Sequence, residues 1–442
     1  MATDLKRIGE RARKDGEVVF TSLFHHVTDV DNLRACYEAL PGDRATGVDG
    51  VTKKEYDRHL EDNLQQLAGS LRQLGYRPKP KRRVHIPKPG SAKGRPLGIS
   101  CLDDKIVELA IKRVLEPIYE TMFEESSFGY RPGRSQHQCL DALGRTIQQK
   151  RVNHVVEADI KSFFDEVNHK WMMQFLRRRI GDWRVLRVIW RMLKGGILED
   201  GLTKATEAGT PQGSILSPLL SNIYLHYVLD SWYARDIRPH CRGGSRYIRF
   251  ADDFLVCFQY QSDATGFMPR LQRQMHHHGL RLAEDKTQRI AFGRKARFNA
   301  AKVGTKPATF TFLGFTHYCG KTRMGSFKLK RRTSRKKMGQ SLKEFGEWAR
   351  RARCYLRKGD MIRRARAKVV GHLNYYAITD NTPHCRTYEF YAKHLLFKWL
   401  NRKSQRTTYT WGAFKHALAH NKWPRVLCRK GLNPFRRRRL TE

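Results

Sequence analysis

The chain has 442 residues, with 86 Lys and Arg against 42 Asp and Glu, for a formal net charge of +44. Because 40% of the residues are hydrophobic and 11% aromatic, it can bury a real core, which excludes a disordered basic tail. No run approaches the roughly 18 apolar residues of a spanning helix, and a charge this large calls for a polyanionic partner such as nucleic acid. The N-terminal stretch has no apolar segment after its charges, so no secretory signal is expected. The nine cysteines are scattered without a C-x-x-C pair and read as reduced thiols of a cytosolic protein, not as a disulfide framework or zinc site. The length suits two to four domains.

Along the chain, residues 27–41 and 52–75 are predicted helices, the second with Tyr56, Leu60, Leu64, Leu67 and Leu71 on one stripe. Gly47-Val48-Asp49-Gly50 between them is a turn. Prolines and Gly90 then punctuate a basic stretch in which Arg83-Val84-His85-Ile86 alternates as a strand. Leu102 to Tyr119 is a predicted helix with Ile106, Leu109, Ala110, Arg113 and Val114 as its stripe and Asp103-Asp104 in its first turn. His154 to Ile160 is a short apolar strand. Ser217-Pro218 starts an apolar helix to about Trp232. Tyr247–Phe250 and Phe254–Phe258 form a hairpin with Ala251-Asp252-Asp253 at its tip, and 308–318 is another strand or strand pair. From about 331 the chain is predicted helical and basic. This order gives an α+β fold followed by an all-α domain.

The charge is uneven. Residues 1–320 carry 52 basic and 36 acidic side chains, and residues 321–442 carry 34 and 6, so the last 122 residues hold +28 of the excess. Their aromatic helical segments favour a folded, phosphate-contacting domain over a solvated charge run. Against this background three acids stand out. Asp159 follows an apolar strand, and Asp252 with Asp253 lies at the tip of an apolar hairpin. An Asp-Asp pair is ordinarily a turn or a cap, as Asp103-Asp104 is expected to be. The buried strands flanking Asp252-Asp253 point instead to a container for two Mg²⁺ ions, which about 3.5–4 Å apart clamp the attacking and leaving oxygens of phosphoryl transfer.

The context of these acids is specific. Ala158-Asp159-Ile160-Lys161-Ser162-Phe163-Phe164-Asp165 resembles the first catalytic motif of reverse transcriptases. Gly209-Thr210-Pro211-Gln212-Gly213 through Leu225 resembles their Pro-Gln-Gly motif, and Arg249-Phe250-Ala251-Asp252-Asp253-Phe254 their metal-binding hairpin. Ile86–Gly90, Gly94–Ile99, Ser127-Phe128-Gly129-Tyr130-Arg131-Pro132-Gly133-Arg134-Ser135 and Phe312–Phe315 follow the same order. Over roughly residues 30–425 the chain resembles a group II intron-encoded reverse transcriptase and maturase.

The resemblance implies a right-hand polymerase whose fingers and palm carry antiparallel sheet, followed by an all-α thumb or X domain. It implies an N-terminal extension (1–26), fingers with part of the palm (27–150), palm (151–320), thumb/X (321–404) and a short basic segment (405–442). Asp159, the Ile160 carbonyl, Asp252 and, in a lesser capacity, Asp253 would hold two Mg²⁺ ions. Lys88 and Arg95 would meet the triphosphate of the incoming dNTP. Phe164 would exclude a 2′-hydroxyl, with Phe163 a plain core residue, and Gln212 would lie near the sugar and base. Leu313, Gly314 and Phe315 would form the primer grip, and Lys286 matches a basic palm position. Arg131, Arg134, Lys330, Arg331, Arg332, Arg335, Lys336, Lys337, Arg350, Arg351 and Arg353 would track phosphates. The aromatics Tyr375, Tyr376, Tyr388, Phe390, Tyr391, Phe397 and Trp399 are read mostly as inter-helix core.

The implied partners are intron RNA in a ribonucleoprotein, an RNA template with a DNA primer, and target DNA. No membrane is expected, and the site of action is the bacterial cytoplasm, at the nucleoid during integration. The oligomeric state stays open. Phe250 departs from the family's usual Tyr, which leaves the carboxylates intact and implies altered nucleotide handling. No endonuclease is expected after Asn401, and Arg436–Arg439 reads either as a contact to DNA or RNA or as a disordered end. Two alternatives accompany this reading: a domesticated relative used in defence or repair, and a non-catalytic RNA-binding splicing factor.

Overall fold

The computed structural model describes residues 5–87, 94–149, 151–199, 202–204, 208–210, 212–402 and 408–428, so Lys88, Pro211 and Arg436–Arg439 lie outside the described residues. Two compact units comprise residues 1–139, 156–256 and 262–288, and residues 140–155, 257–261 and 289–442.

The first unit is mixed α/β. At its centre is the Leu102–Tyr119 helix, with the predicted bounds but a different buried face. Leu109 and Arg113 are only half-buried, whereas Ile106-Val107, Ala110-Ile111, Val114-Leu115 and Ile118-Tyr119 are fully buried. Pairs of adjacent residues go inside because partners pack on more than one side, so a single amphipathic stripe underestimates the buried surface. Its acids Asp103 and Asp104 lie in the first turn as expected, but they do not cap it: Tyr56 donates its hydroxyl to Asp103 (2.7 Å), and Asp104 accepts the Tyr76 hydroxyl and the Lys79 N–H, so both tie the helix to other segments.

The helix expected over 52–75 is two, Lys53–Asp57 and Leu60–Arg72. A Thr52/Glu55 capping box starts the first, and the Asn63 amide takes the Tyr56 carbonyl at 3.0 Å, which competes with helical continuation between them. The Gly47–Gly50 turn forms as predicted, closed by Gly50 N–H to the Gly47 carbonyl.

One sheet has the order β2 (Arg95–Ile99), β1 (Lys81–Ile86), β4 (Ile197–Glu199), β5 (Leu202–Lys204), with β1–β2 and β4–β5 antiparallel and β1–β4 parallel. Buried Glu108 ties this sheet to the central helix. It accepts Lys81 Nζ (2.7 Å) and Ser100 Oγ (3.0 Å) on one oxygen and Ile215 N–H (2.8 Å) on the other. A second sheet runs β6 (Ser245–Phe250), β7 (Asp253–Phe258), β3 (His154–Ala158), β8 (Gln288–Ala291). The helix from Ser217 does not stop near Trp232. It continues through two wide turns, His226–Asp230 and Tyr233–Ile237, the first of which carries Asp230 fully into the core.

The second unit has the antiparallel sheet β9 (Phe310–Phe312), β10 (Phe315–Lys321), β11 (Phe327–Thr333), followed by basic helices Arg335–Tyr355, Lys358–Tyr376, Thr382–Asn401 and Trp411–His420. The segment 308–318 is therefore a strand pair. The helical reading from 331 is corrected: Lys330, Arg331 and Arg332 belong to β11, whose period-two burial puts Leu329, Arg331 and Thr333 inside. The Gln148 amide pins this strand, donating to the Phe327 carbonyl and accepting Leu329 N–H. Tyr376 and Tyr388 are core, but Phe390 and Tyr391 are about half exposed, at 52% and 50%. Among the described residues no helix is long and apolar enough to cross a membrane.

Replacing Glu108 by Ala strands the Lys81 ammonium in the core. The expected loss is about 3–5 kcal/mol of stability, read as a lowered urea midpoint; an unchanged midpoint contradicts the role given to Glu108.

Candidate active site

Strands β6 and β7 meet at Ala251-Asp252, and Ala251 is held at φ +57°, a left-handed conformation that an alanine adopts only under constraint. The constraint is the Arg249 guanidinium, which has no solvent exposure. Its Nε and Nη2 donate to the two Asp230 oxygens at 2.8 and 2.6 Å, and its Nη1 donates to the Asn222 side chain and the Ala251 carbonyl, both at 3.0 Å. Burial works against the Arg249 charge, and Asp230 more than offsets it, so the guanidinium is held firmly protonated.

The Phe-Gly-Tyr-Arg segment closes on the same turn. Phe128 N–H reaches the Arg249 carbonyl and Asn222 Nδ2 reaches the Gly129 carbonyl, at 2.9 and 2.8 Å. A Cβ on Gly129 would come within 2.3 Å of the Ala251 nitrogen, so only glycine fits there. Three separate motifs are thus locked around one hairpin. Neither Asp230 nor Arg249 was singled out from sequence. The available signal was an arginine inside the apolar run Tyr247-Ile248-Arg249-Phe250, which requires a buried partner.

Asp159 follows β3; its carbonyl accepts Ala283 N–H at 2.8 Å, and Ile160 bridges Leu282. Lys286 pairs with the Asp159 carboxylate, so the basic position read from the palm motif is in contact with an acid. Burial, then the charge of Asp159, raises the Asp252 carboxyl, with Arg95 and Arg249 partly compensating. Asp253 still reaches solvent, yet the protein packed around it, together with the charges of Asp252 and Asp159, pushes its carboxyl up to about 7.

Among the described residues no three His, Cys, Asp or Glu side chains converge as a ready-made metal cage. The donor chemistry nonetheless fits a hard divalent cation. The candidate ligand atoms are all oxygens, three carboxylates and the Ile160 carbonyl; Asp252 and Asp253 are raised by burial and by neighbouring negative charge, and a cation already stands on Asp159 in the form of Lys286.

Other predicted residues fall around this centre. Arg95 is exposed on β2, and the Gln212 carbonyl accepts Gly98 N–H (2.7 Å), so the Pro-Gln-Gly loop docks on that strand. Phe164 is half-buried and edge-on to Phe163 at 5.4 Å, while Phe163 is core against Tyr224. Arg134 stacks over Phe128.

Arg131 is corrected. It is 8% exposed and its guanidinium is engaged by Glu120 and by the Glu124 and Ser127 carbonyls, so it is turned into the fold and not toward a phosphate in solvent.

In the second unit, Leu313 (φ +48°) and Gly314 (φ +77°) turn β9 into β10. The Leu313 carbonyl accepts the Tyr375 hydroxyl at 2.7 Å, and Phe315 is buried against Tyr375 and Tyr376. Arg331 is corrected as Arg131 is: it is 3% exposed and donates to the Leu140 carbonyl. Arg332, Arg335, Lys336, Lys337, Arg350 and Arg351 are exposed, and Lys330 is half-buried. Arg353 lies over the Trp399 ring and donates to the Arg402 carbonyl.

Two outcomes follow. Arg249→Met leaves Asp230 charged and unpaired in the core, with an expected loss of about 3–5 kcal/mol in urea unfolding; the double variant Arg249→Met/Asp230→Leu should recover part of it. The folded Asp253 carboxyl, at about 7, holds its proton where the unfolded one, near 3.8, has released it, so this group makes stability fall as pH rises between those values. Asp253→Asn should flatten that fall between pH 5 and 7, and an unchanged slope rejects the assignment.

The family described as reverse transcriptase (RNA-dependent DNA polymerase) matches residues 86–317, just over half of the chain. The chain is 37% identical over 222 residues to the group II intron-encoded protein LtrA of Lactococcus lactis subsp. cremoris, covering 50% of this chain and 37% of that protein. It is 37% identical over 243 residues to protein YkfC of Escherichia coli (strain K12), covering 49% and 64%. With nuclear intron maturase 2, mitochondrial, of Arabidopsis thaliana it shares 31% identity over 110 residues, 24% of this chain and 14% of the relative. The chain thus spans less than two thirds of the length of these relatives. It belongs to the reverse transcriptase (RNA-dependent DNA polymerase) family and, within it, is similar to the group II intron-encoded proteins.

Proposed function

We propose that the chain is an RNA-directed DNA polymerase of the group II intron type, which binds its intron RNA, assists its splicing and copies it into DNA during retrotransposition. The observation that carries this is the hairpin turn held by Arg249 and Asp230, which sets Asp252 beside Asp159 and brings the Phe-Gly-Tyr-Arg and Pro-Gln-Gly stretches onto the same centre. The splicing half rests on the relatives, which are named as intron-encoded and maturase proteins. On this reading residues 27–150 are fingers with part of the palm, 151–320 palm and 321–404 a thumb or X domain of a right-hand polymerase, flanked by 1–26 and 405–442.

Asp159, Asp252, the Ile160 carbonyl and, to a lesser degree, Asp253 would hold divalent cations, Mg²⁺ by preference. When bound, two such ions would align the primer 3′-hydroxyl with the α-phosphate and offset the charge that develops there. Lys286 holds the Asp159 charge compensated before nucleotide arrives. Exposed Arg95, on the strand that docks the Gln212 loop, meets the triphosphate together with Lys88, and Gln212 lies by the sugar. Phe164 presents a ring beneath the sugar and rejects a 2′-hydroxyl. The Leu313-Gly314-Phe315 turn, stiffened by Tyr375 and Tyr376, grips the primer. Arg335, Lys336 and Lys337 crowd the first turn of a helix, where cations oppose the dipole and gain by binding phosphate, as do Arg350 and Arg351 further along it.

Purified protein with Mg²⁺, an RNA template, a DNA primer and dNTPs should extend the primer, and chelation of the metal should stop it. Asp252→Ala is expected to lower the rate by about three orders of magnitude, on the order of 4 kcal/mol. Wild type that fails to extend, or a variant that extends equally, overturns the polymerase reading. Splicing of precursor RNA at near-physiological Mg²⁺, with and without protein, tests the maturase half.

A further inference from the structure

In the first unit the helices His169–Arg177 and Trp183–Lys194 pack side by side. The second has two sharply different faces. Val185, Leu186, Val188, Ile189, Met192 and Leu193 are buried, while Trp183, Arg187, Trp190 and Lys194 follow one another at helical spacing on the outward stripe. Tryptophan on a solvent face is uncommon, and here two stand out, Trp183 at 55% and Trp190 at 37% exposure. With half-buried Trp171 they line a groove of about 770 Å³, whose charged rim residues are Lys170, Arg177 and Arg187. Among the described residues no carboxylate lines the groove or pairs with these three cations. Lys194 lies 5.5 Å from the Trp190 ring centre and adds a further positive charge.

Seven residues of helix separate the two exposed rings, roughly 10 Å along the axis, the span of about three stacked nucleotides. Exposed tryptophan rings, alternating with cations that no described carboxylate pairs, match a strand whose bases stack and whose phosphates follow the rim. We infer that this groove binds single-stranded nucleic acid, with bases on Trp183 and Trp190 and phosphates on Lys170, Arg177 and Arg187. The inference goes beyond the polymerase reading and uses none of the residues assigned to it.

The test uses the full chain and a 12-mer of uridines bearing 5-iodouridine, with an abasic 12-mer of equal charge as control. Ultraviolet cross-links should map to Trp183 or Trp190. Trp183→Ala/Trp190→Ala should weaken binding of the uridine 12-mer about tenfold or more and leave the abasic 12-mer unaffected. Arg177→Gln/Arg187→Gln should instead weaken both and make the affinity less salt-dependent. Cross-links confined to other segments, or equal losses for both oligonucleotides in the tryptophan variant, overturn the inference. So does a wild-type self-association that the tryptophan variant abolishes with oligonucleotide affinity unchanged, which marks the groove as a protein interface. Circular dichroism checks that each variant is folded. Primer extension by wild type is scored separately, so its failure sinks the polymerase reading and leaves the groove result standing.

Discussion

One buried guanidinium holds the centre of this protein in place. Arg249 is surrounded by Asp230, Asn222 and the Ala251 carbonyl, without access to water. A buried ion pair of this kind is a poor source of net stability, because desolvating both charges costs about what their attraction returns. Its consequence is geometric. With both carboxylate oxygens and two further acceptors engaged, the guanidinium has one orientation, and the turn that it holds presents Asp252 in one direction. The strain in Ala251 is tolerated because the surroundings over-determine it, and the absent side chain of Gly129 is what lets the neighbouring segment close. Glu108 does related work at the other sheet, joining β1, Ser100 and the loop after the Pro-Gln-Gly stretch through one carboxylate.

The electrostatics of the first unit follow from setting acids together in a basic protein. Asp252 and Asp253 are raised by burial and by neighbouring negative charge, while Lys286, Arg95 and Arg249 provide only partial relief. Such a group is poised for an added cation, since binding one removes repulsion already present. The large positive excess acts differently. Exposed cations on the Arg335–Tyr355 helix create a field that draws any polyanion, whatever its sequence.

Much of the local structure was legible in the sequence. The bounds of the Leu102–Tyr119 helix, the strand before Asp159 and the hairpin around Asp252 come from periodicity and turn residues, which are local properties. The apolarity of its flanking strands sets Asp252-Asp253 apart from Asp103-Asp104, and the structure places the first pair at a strand junction and the second in a helix first turn. The misreadings share one cause. Arg131 and Arg331 read as phosphate-seeking from sequence, yet both are buried, Arg131 against Glu120 and two backbone carbonyls and Arg331 against the Leu140 carbonyl. Of the aromatics read mostly as core, Phe390 and Tyr391 are the exceptions, each about half exposed, which helical spacing alone does not reveal.

The sequence by itself determined the family resemblance, the acidic island in a basic chain and the expectation of a polyanionic partner, because motif order and net charge need no knowledge of contacts. Only the tertiary structure decided which charges are spent internally and which remain available. Arg249 finds Asp230 nineteen residues away, Lys286 finds Asp159 across 127, and Arg331 finds Leu140 across 191. Those pairings depend on which surfaces pack together, and no periodicity or composition within a local window encodes that.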